Sequence, residues 1–333
     1  MYKSLLNIIM SDTLTIDQSY SIGQYILSGD ATEIEIASLL TALKFKDESF
    51  ELIAGFAQAL RLYSMKMIPT NKALIDVCGT GGDGSNTFNI STTVSLLLAT
   101  RLKVSKHGNR SISSKSGSAD VLTELEIPKP DTAKAIDKLL TDKNYSFLFA
   151  PYMHPHMKYV MPVRTALKIP TIFNIIGPLC NPYPLKYQII GVYKESLLMP
   201  MAKALMHLGI QNGAVIHGHN GLDELSISGV NQVVYIKNNQ ITEDTIDPKD
   251  FNMPYQSIEH ITGGKASINA AITKNVLSGE KGPKQDIVAL NAGLGFFIGE
   301  EVSSLNDGIK LAYQLLNNKK GLDVLISLKE CVI

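Results

Sequence analysis

The stretch that decides the fold of this 333-residue chain runs from residue 73 to residue 92 and reads ALIDVCGTGGDGSNTFNIST. Its first part, Ala73–Val77, is a short apolar run that ends at a cluster of glycines, which predicts a buried strand. A helical pattern follows over Thr92–Ala99. The stretch therefore predicts a strand, a glycine-rich loop and a helix in immediate succession.

The loop in this stretch has the composition of a phosphate site. Four glycines occur within six positions, at 79, 81, 82 and 84. Such a loop can turn several main-chain N–H groups toward one point and lets a ligand approach the backbone. Asn89, Ser91 and Thr92 stand where the helix should begin, and helix N-termini bind anions. A glycine-rich turn followed by an Asn/Ser/Thr helix cap is the alternative interpretation, and phosphate binding is favoured over it.

The spacing of the glycines fits neither the Walker A loop nor the dinucleotide fingerprint. Gly79-x-Gly81-x-x-Gly84 matches the letters of the fingerprint, but Asp83 would repel a dinucleotide pyrophosphate. A contact with ribose hydroxyls, or with a metal-bound phosphate through water, suits Asp83 better.

The rest of the chain divides into a helical and a mixed part. Residues 1–66 carry apolar residues at helical spacing, whereas strand candidates at Phe147–Phe149, Ile189–Val192 and Ala214–His217 alternate with helical patterns. We predict an α/β protein with a small N-terminal helical domain, residues 1–72, joined by parts of 160–185. A larger α/β domain, residues 73–333, has a mostly parallel central sheet. The polar segment 238–254 is expected to be an exposed loop or hairpin.

Composition excludes several classes of protein. Lys plus Arg equal Asp plus Glu at 31 each, so we predict no nucleic-acid partner. No apolar run is long enough to cross a membrane, so no membrane partner is expected. Three cysteines far apart in sequence fit a reducing compartment, and the apolar N-terminus is interpreted as a first helix. These features predict a cytoplasmic protein.

A basic segment follows the helix predicted over Thr92–Ala99. Residues 104–120 read VSKHGNRSISSKSGSAD and mix three cations with six serines and two glycines. Clustered cations and hydroxyls suit a highly charged phosphate ester, and we favour a ligand loop over a solvated basic loop. His107 is a candidate base, although a lone His more often serves as a hydrogen-bonding residue, and we expect it to orient substrate.

Two further positions carry candidate chemistry. Arg164 can bind a carboxylate through two parallel hydrogen bonds, with a surface ion pair as the alternative. Asp223 and Glu224 lie just beyond a predicted strand, where α/β sheets place ligands, and adjacent carboxylates suit Mg²⁺. A solvated acidic pair is equally compatible with the residues alone.

Several segments together resemble the anthranilate phosphoribosyltransferase family, and the likeness covers most of the chain. GTGGDGSNTFNIST (79–92) is similar to the family's phosphoribosyl pyrophosphate (PRPP) signature, and 106–120 resembles its KHGNRxxSSxSGSAD motif. FLFAPYMHPHMK (147–158), PTIFNIIGPLCNP (170–182) and HGHNGLDE (217–224) resemble three more of its motifs. Two departures are His156, in place of a small residue, and Pro170, in place of an Arg.

The resemblance implies a fold of the nucleoside phosphorylase/phosphoribosyltransferase class and a set of site residues. It implies that Gly79, Asn109 and Arg164 bind anthranilate. It implies two Mg²⁺ ions held by Ser91, Asp223 and Glu224. The implied PRPP contacts are Gly79, Gly82, Asp83, Thr87, Asn89, Ile90, Ser91, Thr92, Lys106, His107, Gly108, Asn109, Arg110, Ser111, Ile112, Ser113, Ser114 and Ser118. The expected partners are the two small-molecule substrates and a second copy of the chain in a homodimer.

Two other functions fit the same architecture. A nucleoside phosphorylase would attack ribose C1 with phosphate. Those enzymes resemble this chain in architecture but carry a different glycine loop, Ser-Thr-Gly-Gly-Val-Gly, which this sequence lacks. A non-catalytic relative that binds nucleic acid is disfavoured by the zero net charge and by the presence of Arg164, Asp223 and Glu224.

Overall fold

A computed structural model of the chain describes residues 1–10, 13–111 and 115–331. Four helices occupy the first part: α1 (Tyr2–Met10), α2 (Ile16–Ser28), α3 (Glu33–Lys44) and α4 (Phe50–Leu62). Hydroxyl side chains begin three of them, because Thr15, Thr32 and Ser49 each accept a hydrogen bond from a main-chain N–H of the first turn. The helices predicted for this region are confirmed.

One seven-stranded sheet organises the remainder. Its strands are β1 (Leu74–Gly79), β2 (Lys103–Gly108), β3 (Tyr145–Phe149), β4 (Tyr187–Gly191), β5 (Asn212–His217), β6 (Asn231–Lys237) and β7 (Gln240–Ile246). The order is β3-β2-β1-β4-β5-β6-β7; the first five strands are parallel, β6 is antiparallel to β5, and β7 is antiparallel to β6. The mostly parallel α/β class is therefore confirmed.

The strand order creates a switch point between β1 and β4. From β1 the chain proceeds outward through β2 to β3, and it then returns to the other side of β1 as β4 and continues to β5. Open α/β sheets bind ligands outside the carboxyl ends of strands at such a point. The glycine loop leaves β1 there, directly opposite Gly191, which pairs with Gly79.

Helices cover both faces of the sheet, as parallel strands require. They are α5 (Ile90–Leu98), α6 (Ser118–Glu124), α7 (Ala133–Asp142), α8 (Ala150–Met153), α9 (Met161–Leu167), α10 (Leu198–His207), α11 (Ala266–Leu277), α12 (Pro283–Ile298), α13 (Leu305–Asn317) and α14 (Lys320–Lys329). One hydrophobic cluster joins α5 and α11–α14 to one face. The other joins α1–α4, α10 and buried residues of the 160–185 segment to the opposite face. The division into domains at residue 72 stays a prediction.

Two local predictions were incomplete. Val104–Gly108, which the composition places in a basic loop, lies in β2, where Val104–His107 are all buried and the strand pairs with β1 and β3. The helix expected from Thr92 begins two residues earlier, at Ile90. The polar segment 238–254, expected to be an exposed loop or hairpin, contains β7, which forms a hairpin with β6, so the hairpin alternative is confirmed. Within the described residues, no helix is both long enough and apolar enough to cross a membrane.

Candidate active site

A cleft of about 500 Å³ opens at the carboxyl ends of β1 and β4. It brings together most of the residues that the sequence singles out. Those lining it are Gly79, Gly82, Asp83, Thr87, Asn89, Ser91, Thr92, Lys106, His107, Gly108, Asn109, Arg110, Ser111, Ser118, Arg164, Asp223 and Glu224. Ile90 is fully buried in the hydrophobic core and does not line the cleft. Ile112, Ser113 and Ser114 lie outside the described residues.

The glycine loop folds back on itself through left-handed backbone conformations. Gly81, Gly82 and Gly84 have φ of 67°, 83° and 68°, a region that side chains rarely adopt. The loop delivers the chain to the N-terminus of α5, whose cap residue Asn89 makes no side-chain capping bond. Free N–H groups at this helix end therefore face the cleft.

A segment that the sequence analysis did not predict holds the loop in place. Gly263 donates its N–H to the carbonyl oxygen of Asn86 at 2.9 Å, and Phe88 donates to that of Ile261 at 3.2 Å. A β-bridge between Thr87 and Thr262 lies between these two bonds. The Gly263-Gly264 pair was the only available signal, and it was too short to distinguish from an ordinary turn.

Three carboxylates meet at one side of the cleft. Asp83, Asp223 and Glu224 each offer an oxygen, and these oxygens lie within 4.8 Å of one another. The Asp223 carboxylate accepts a hydrogen bond from Gly81 N–H at 2.7 Å, and Asp83 accepts one from the Ser85 hydroxyl at 2.6 Å. The sequence pairs Asp223 with Glu224, and the fold adds Asp83 from the glycine loop.

Burial sets the electrostatics of this acidic group. It raises the pKa of Asp223 to about 7, with the negative charge of Asp83 acting in the same direction and the Gly81 N–H opposing it. Burial also raises the pKa of Glu224 well above its usual range, helped by the charges of Asp223 and Asp83. Desolvated carboxylates that repel one another favour a proton or a cation. An all-oxygen donor set fits a hard divalent cation such as Mg²⁺.

Lys106 is a buried cation beneath the cleft. It exposes 1% of its surface, and its ammonium donates to the carbonyl oxygen of Val77 at 2.7 Å and to the hydroxyl of Ser91 at 3.4 Å. Burial lowers its pKa, while the negative charges of Asp76, Glu224 and Asp223 oppose that shift. Ser91 is therefore placed between the α5 N-terminus and a positive charge.

His107 is held by the protein rather than free to accept protons. Its Nε2 lies 3.1 Å from Nε2 of His154, and its main-chain N–H donates to the Asp76 carboxylate at 3.2 Å. Burial lowers the pKa of His107 to about 4. The imidazole is thus neutral near pH 7, which favours orientation over proton transfer.

In the basic segment, residues 104–120, which is also rich in serine, the described residues bind one carboxylate. The side chain of Asp120 accepts main-chain hydrogen bonds from Ser111 at 3.1 Å and from Gly117 at 2.9 Å. Ser118 donates its hydroxyl to the carbonyl oxygen of Asn109 at 3.1 Å. These bonds hold the two ends of the segment together at the rim of the cleft.

The opposite wall is apolar and carries Arg164. The guanidinium lies 5.8 Å from the centre of the Phe173 ring and donates to the Asn174 side-chain oxygen at 3.3 Å. None of the ion pairs formed among the described residues includes Arg164, and burial lowers its pKa. The wall can therefore hold a flat ring that bears a carboxylate.

The two departures from the family pattern occupy different places. Pro170 lines the cleft, as Arg164 does. His156 stacks on Tyr63 with ring centres 4.4 Å apart, and its Nδ1 lies 2.8 Å from the carbonyl oxygen of Leu27.

Other lining residues were not predicted. Tyr193, Asn174 and Asn269 all line the cleft. Tyr193 follows the end of β4, so the strand-end rule could have found it. Asn174 lies within a motif already noted, whereas nothing in the sequence around Asn269 indicates its position.

Comparisons with known proteins define the class. Residues 71–322 match the a/b domain of the glycosyl transferase family, and residues 3–64 match its helical bundle domain. The chain is therefore a glycosyl transferase with both parts of that architecture.

Individual relatives narrow the class. The chain is 42% identical over 331 residues to an anthranilate phosphoribosyltransferase of Thermoanaerobacter sp. (strain X514), covering 99% of this chain and 98% of that one. It is 44% identical over 323 residues to that of Bacillus cereus (strain G9842), covering 97% and 95%. This chain belongs to the anthranilate phosphoribosyltransferase family.

Solved structures agree with this assignment. The crystal structure of the Thermus thermophilus enzyme superposes with a TM-score of 0.92 at 34% identity over 98% of both chains. The Saccharomyces cerevisiae enzyme in complex with PRPP and Mg gives 0.91 at 28% identity, covering 99% of this chain and 97% of that one. Another structure of the yeast enzyme contains 4-fluoroanthranilate.

Proposed function

We propose that this protein transfers the phosphoribosyl group of PRPP to the amine of anthranilate. The products are N-(5-phosphoribosyl)anthranilate and pyrophosphate, and the step belongs to tryptophan biosynthesis. The observation that carries the proposal is the layout of the cleft. One end offers a glycine loop, a helix N-terminus and partly buried carboxylates, and the other offers an arginine above an aromatic ring.

The end of the cleft that contains the glycine loop suits PRPP. Main-chain N–H groups of the loop and of α5 and the Lys106 ammonium can donate to anionic oxygens, and the Ser118 hydroxyl can do so by turning away from the Asn109 carbonyl oxygen. We assign PRPP binding to the residues that the family resemblance implies, with Ile112, Ser113 and Ser114 carried on the resemblance alone. The PRPP complex of the yeast relative supports this assignment.

Asp223, Glu224 and Ser91 would hold Mg²⁺. The desolvated acidic group has the oxygen donors for it, and yeast relatives are described with Mg bound. When bound, Mg²⁺ neutralises charge that develops on the leaving pyrophosphate. We propose two ions per subunit, as the family resemblance implies.

The end of the cleft that contains Arg164 suits anthranilate. Arg164 can form two parallel hydrogen bonds with a carboxylate, while Phe173 provides an apolar wall for the ring. Gly79 and Asn109 would complete the acceptor site from the opposite side. The complex of the yeast relative with 4-fluoroanthranilate supports an aromatic-acid site in this fold.

The reaction then requires mainly positioning. The anthranilate nitrogen forms a bond to ribose C1 while the bond from C1 to the pyrophosphate oxygen breaks, and the ammonium formed loses its proton to solvent. The donors around the leaving group stabilise its growing negative charge. Neutral His107 would orient substrate rather than accept the proton.

We further propose a homodimer in the cytoplasm. Ile34 on α3 and Phe45 at its end expose 82% and 86% of their surface, as an intersubunit surface of the helical part would require. All three cysteines are unpaired, which fits a reducing compartment. The helical part (residues 1–72 with parts of 160–185) and the α/β part (73–333) would close on the substrates around segment 67–72 and region 160–185.

The experiment is an assay of anthranilate fluorescence with PRPP and Mg²⁺. We expect PRPP- and Mg²⁺-dependent loss of fluorescence with the wild type. In Arg164→Ala the KM for anthranilate should rise roughly 10- to 100-fold, since a charge-assisted hydrogen bond contributes about 1.5–3 kcal/mol. Arg164→Lys keeps the charge but cannot form the two parallel hydrogen bonds, so its KM for anthranilate should lie between those of the wild type and Arg164→Ala. No PRPP-dependent loss in the wild type would remove the proposal and would direct attention to phosphorolysis of nucleosides.

A further inference from the structure

Asn269 lies one layer behind the predicted phosphate end of the cleft. It belongs to the first turn of α11 and is 2% exposed, yet it borders the cleft. Its side chain makes two hydrogen bonds. Its oxygen accepts the main-chain N–H of Gly264 at 2.7 Å, and its nitrogen donates to the side-chain oxygen of Asn89 at 2.8 Å.

These bonds fix the orientation of the Asn269 side-chain amide and, through it, that of Asn89. The main-chain N–H of Gly264 can only donate, so the Asn269 atom that faces it must be the oxygen. The Asn269 nitrogen therefore faces Asn89, which must present its own oxygen in return. The nitrogen of Asn89 is left to face the serine-rich segment, where it donates to the carbonyl oxygen of Ser116 at 3.2 Å.

A second contact one helical turn further on keeps the two helices in register. The hydroxyls of Thr93 and Thr273 lie 2.9 Å apart in the interior. Thr93 follows Asn89 by four residues, and Thr273 follows Asn269 by four residues, so both contacts lie on the same helix faces. The pair anchors α5 against α11 but does not reach the cleft.

We propose that Asn269 is a positioning residue for PRPP, because it holds Asn89 with its amide nitrogen toward the cleft. An amide nitrogen carries two hydrogens, and the bond to Ser116 uses one of them. The other is a donor for an anionic oxygen at the start of α5. A rotated Asn89 would instead present an acceptor to an acceptor-only phosphate. The inference rests on the proposed function, since PRPP is its ligand.

Two substitutions remove the donor in different ways. Asn269→Asp is isosteric, still accepts from Gly264 and forces Asn89 to rotate. Asn269→Leu is uncharged and leaves Asn89 without a partner that selects its orientation. Thr273→Val is the matched control, because it removes the neighbouring interhelical hydrogen bond while keeping the shape.

The test measures PRPP binding by titration calorimetry with Mg²⁺ and without acceptor, together with the KM for each substrate. We expect the Kd for PRPP to rise roughly 10- to 100-fold in Asn269→Asp and roughly 3- to 10-fold in Asn269→Leu. The KM for anthranilate should change less than about twofold in both. Thr273→Val should lower the melting temperature but change the Kd less than about twofold.

Each other result has a definite meaning. If the wild type does not bind PRPP, the proposed function fails and this inference fails with it. If the wild type binds PRPP and both Asn269 variants bind it equally well, the inference alone fails. It also fails if Thr273→Val weakens binding as much, which would make the role one of general packing. If Asn269→Leu does not fold, the Kd of Asn269→Asp for PRPP is measured at low and at high salt. Salt screens repulsion between the new carboxylate and PRPP, but it does not restore a lost hydrogen-bond donor. Full recovery at high salt would overturn the inference.

Discussion

A methyl group added at Gly79 should damage the acidic group without unfolding the protein. Gly79 ends β1 and pairs with Gly191 of β4, and the Asp223 carboxylate packs against it. An added Cβ would lie 2.0 Å from Asp223 Oδ2, whereas ordinary contact begins at 3.4 Å. The carboxylate must therefore move by about 1.4 Å, the difference between the two distances, and it then loses the Gly81 N–H bond of 2.7 Å.

The expected loss follows from that displacement. A misplacement of about 1 Å in a catalytic group can reduce activity roughly 100-fold, so kcat/KM for Gly79→Ala should fall by about that factor. The Mg²⁺ concentration needed for half-maximal activity should rise in parallel. Overpacking of this kind costs about 1–3 kcal/mol, so the variant should remain folded at assay temperature.

The assay compares Mg²⁺ titrations of turnover for the wild type, Gly79→Ala and Gly177→Ala. Gly177 lines the same cleft, but a Cβ there would meet nothing within 4 Å and its backbone is not left-handed. Gly177→Ala should therefore need no more Mg²⁺ than the wild type. A Gly79→Ala enzyme with wild-type kcat/KM and Mg²⁺ dependence would refute the placement of Asp223.

Single residues outside the glycine loop give three more predictions. The pKa of Glu300 is lowered from 4.5 to about 2 by hydrogen bonds from Tyr187 and Lys186. Its stabilising effect is therefore present above pH 4.5 and lost as pH falls toward 2, so melting temperatures of the wild type and Glu300→Gln should converge over that range. The pKa of His107 is lowered to about 4, so this residue should not titrate between pH 6 and 8. The pH dependence of kcat over that range should therefore have the same shape in the wild type and in His107→Gln. Lys106→Met removes a buried cation that donates to Ser91, so the KM for PRPP should rise roughly 10-fold or more with little change in that for anthranilate. Equal effects on both KM values would contradict this placement.

The architecture could be predicted because local pattern and global fold agree. Ala73–Val77 is apolar and ends at glycines, as a central parallel strand at a switch point requires, and β1 occupies that place. The strand β2 was hidden because its residues include Lys106 and His107. Both are polar, yet the fold buries them to serve the cleft, and hydrophobic patterning cannot detect that.

The site shows the same limit. Asp83, Asp223 and Arg164 were predictable because motifs mark them, and the fold brings them to one cleft. Asn269 was not, because its role depends on hydrogen bonds to residues 5 and 180 positions away. A polar residue in a helix carries no sequence signal for such a contact.

Product analysis tests the proposed phosphoribosyl transfer most directly. Wild-type protein is incubated with anthranilate, PRPP and Mg²⁺, pyrophosphate is quantified, and the aromatic product is identified by mass spectrometry. We predict one pyrophosphate released for each anthranilate consumed, with the phosphoribosyl group attached to the anthranilate nitrogen. Pyrophosphate release with anthranilate left unchanged, or no turnover of PRPP at all, would show that this protein does not catalyse the proposed transfer.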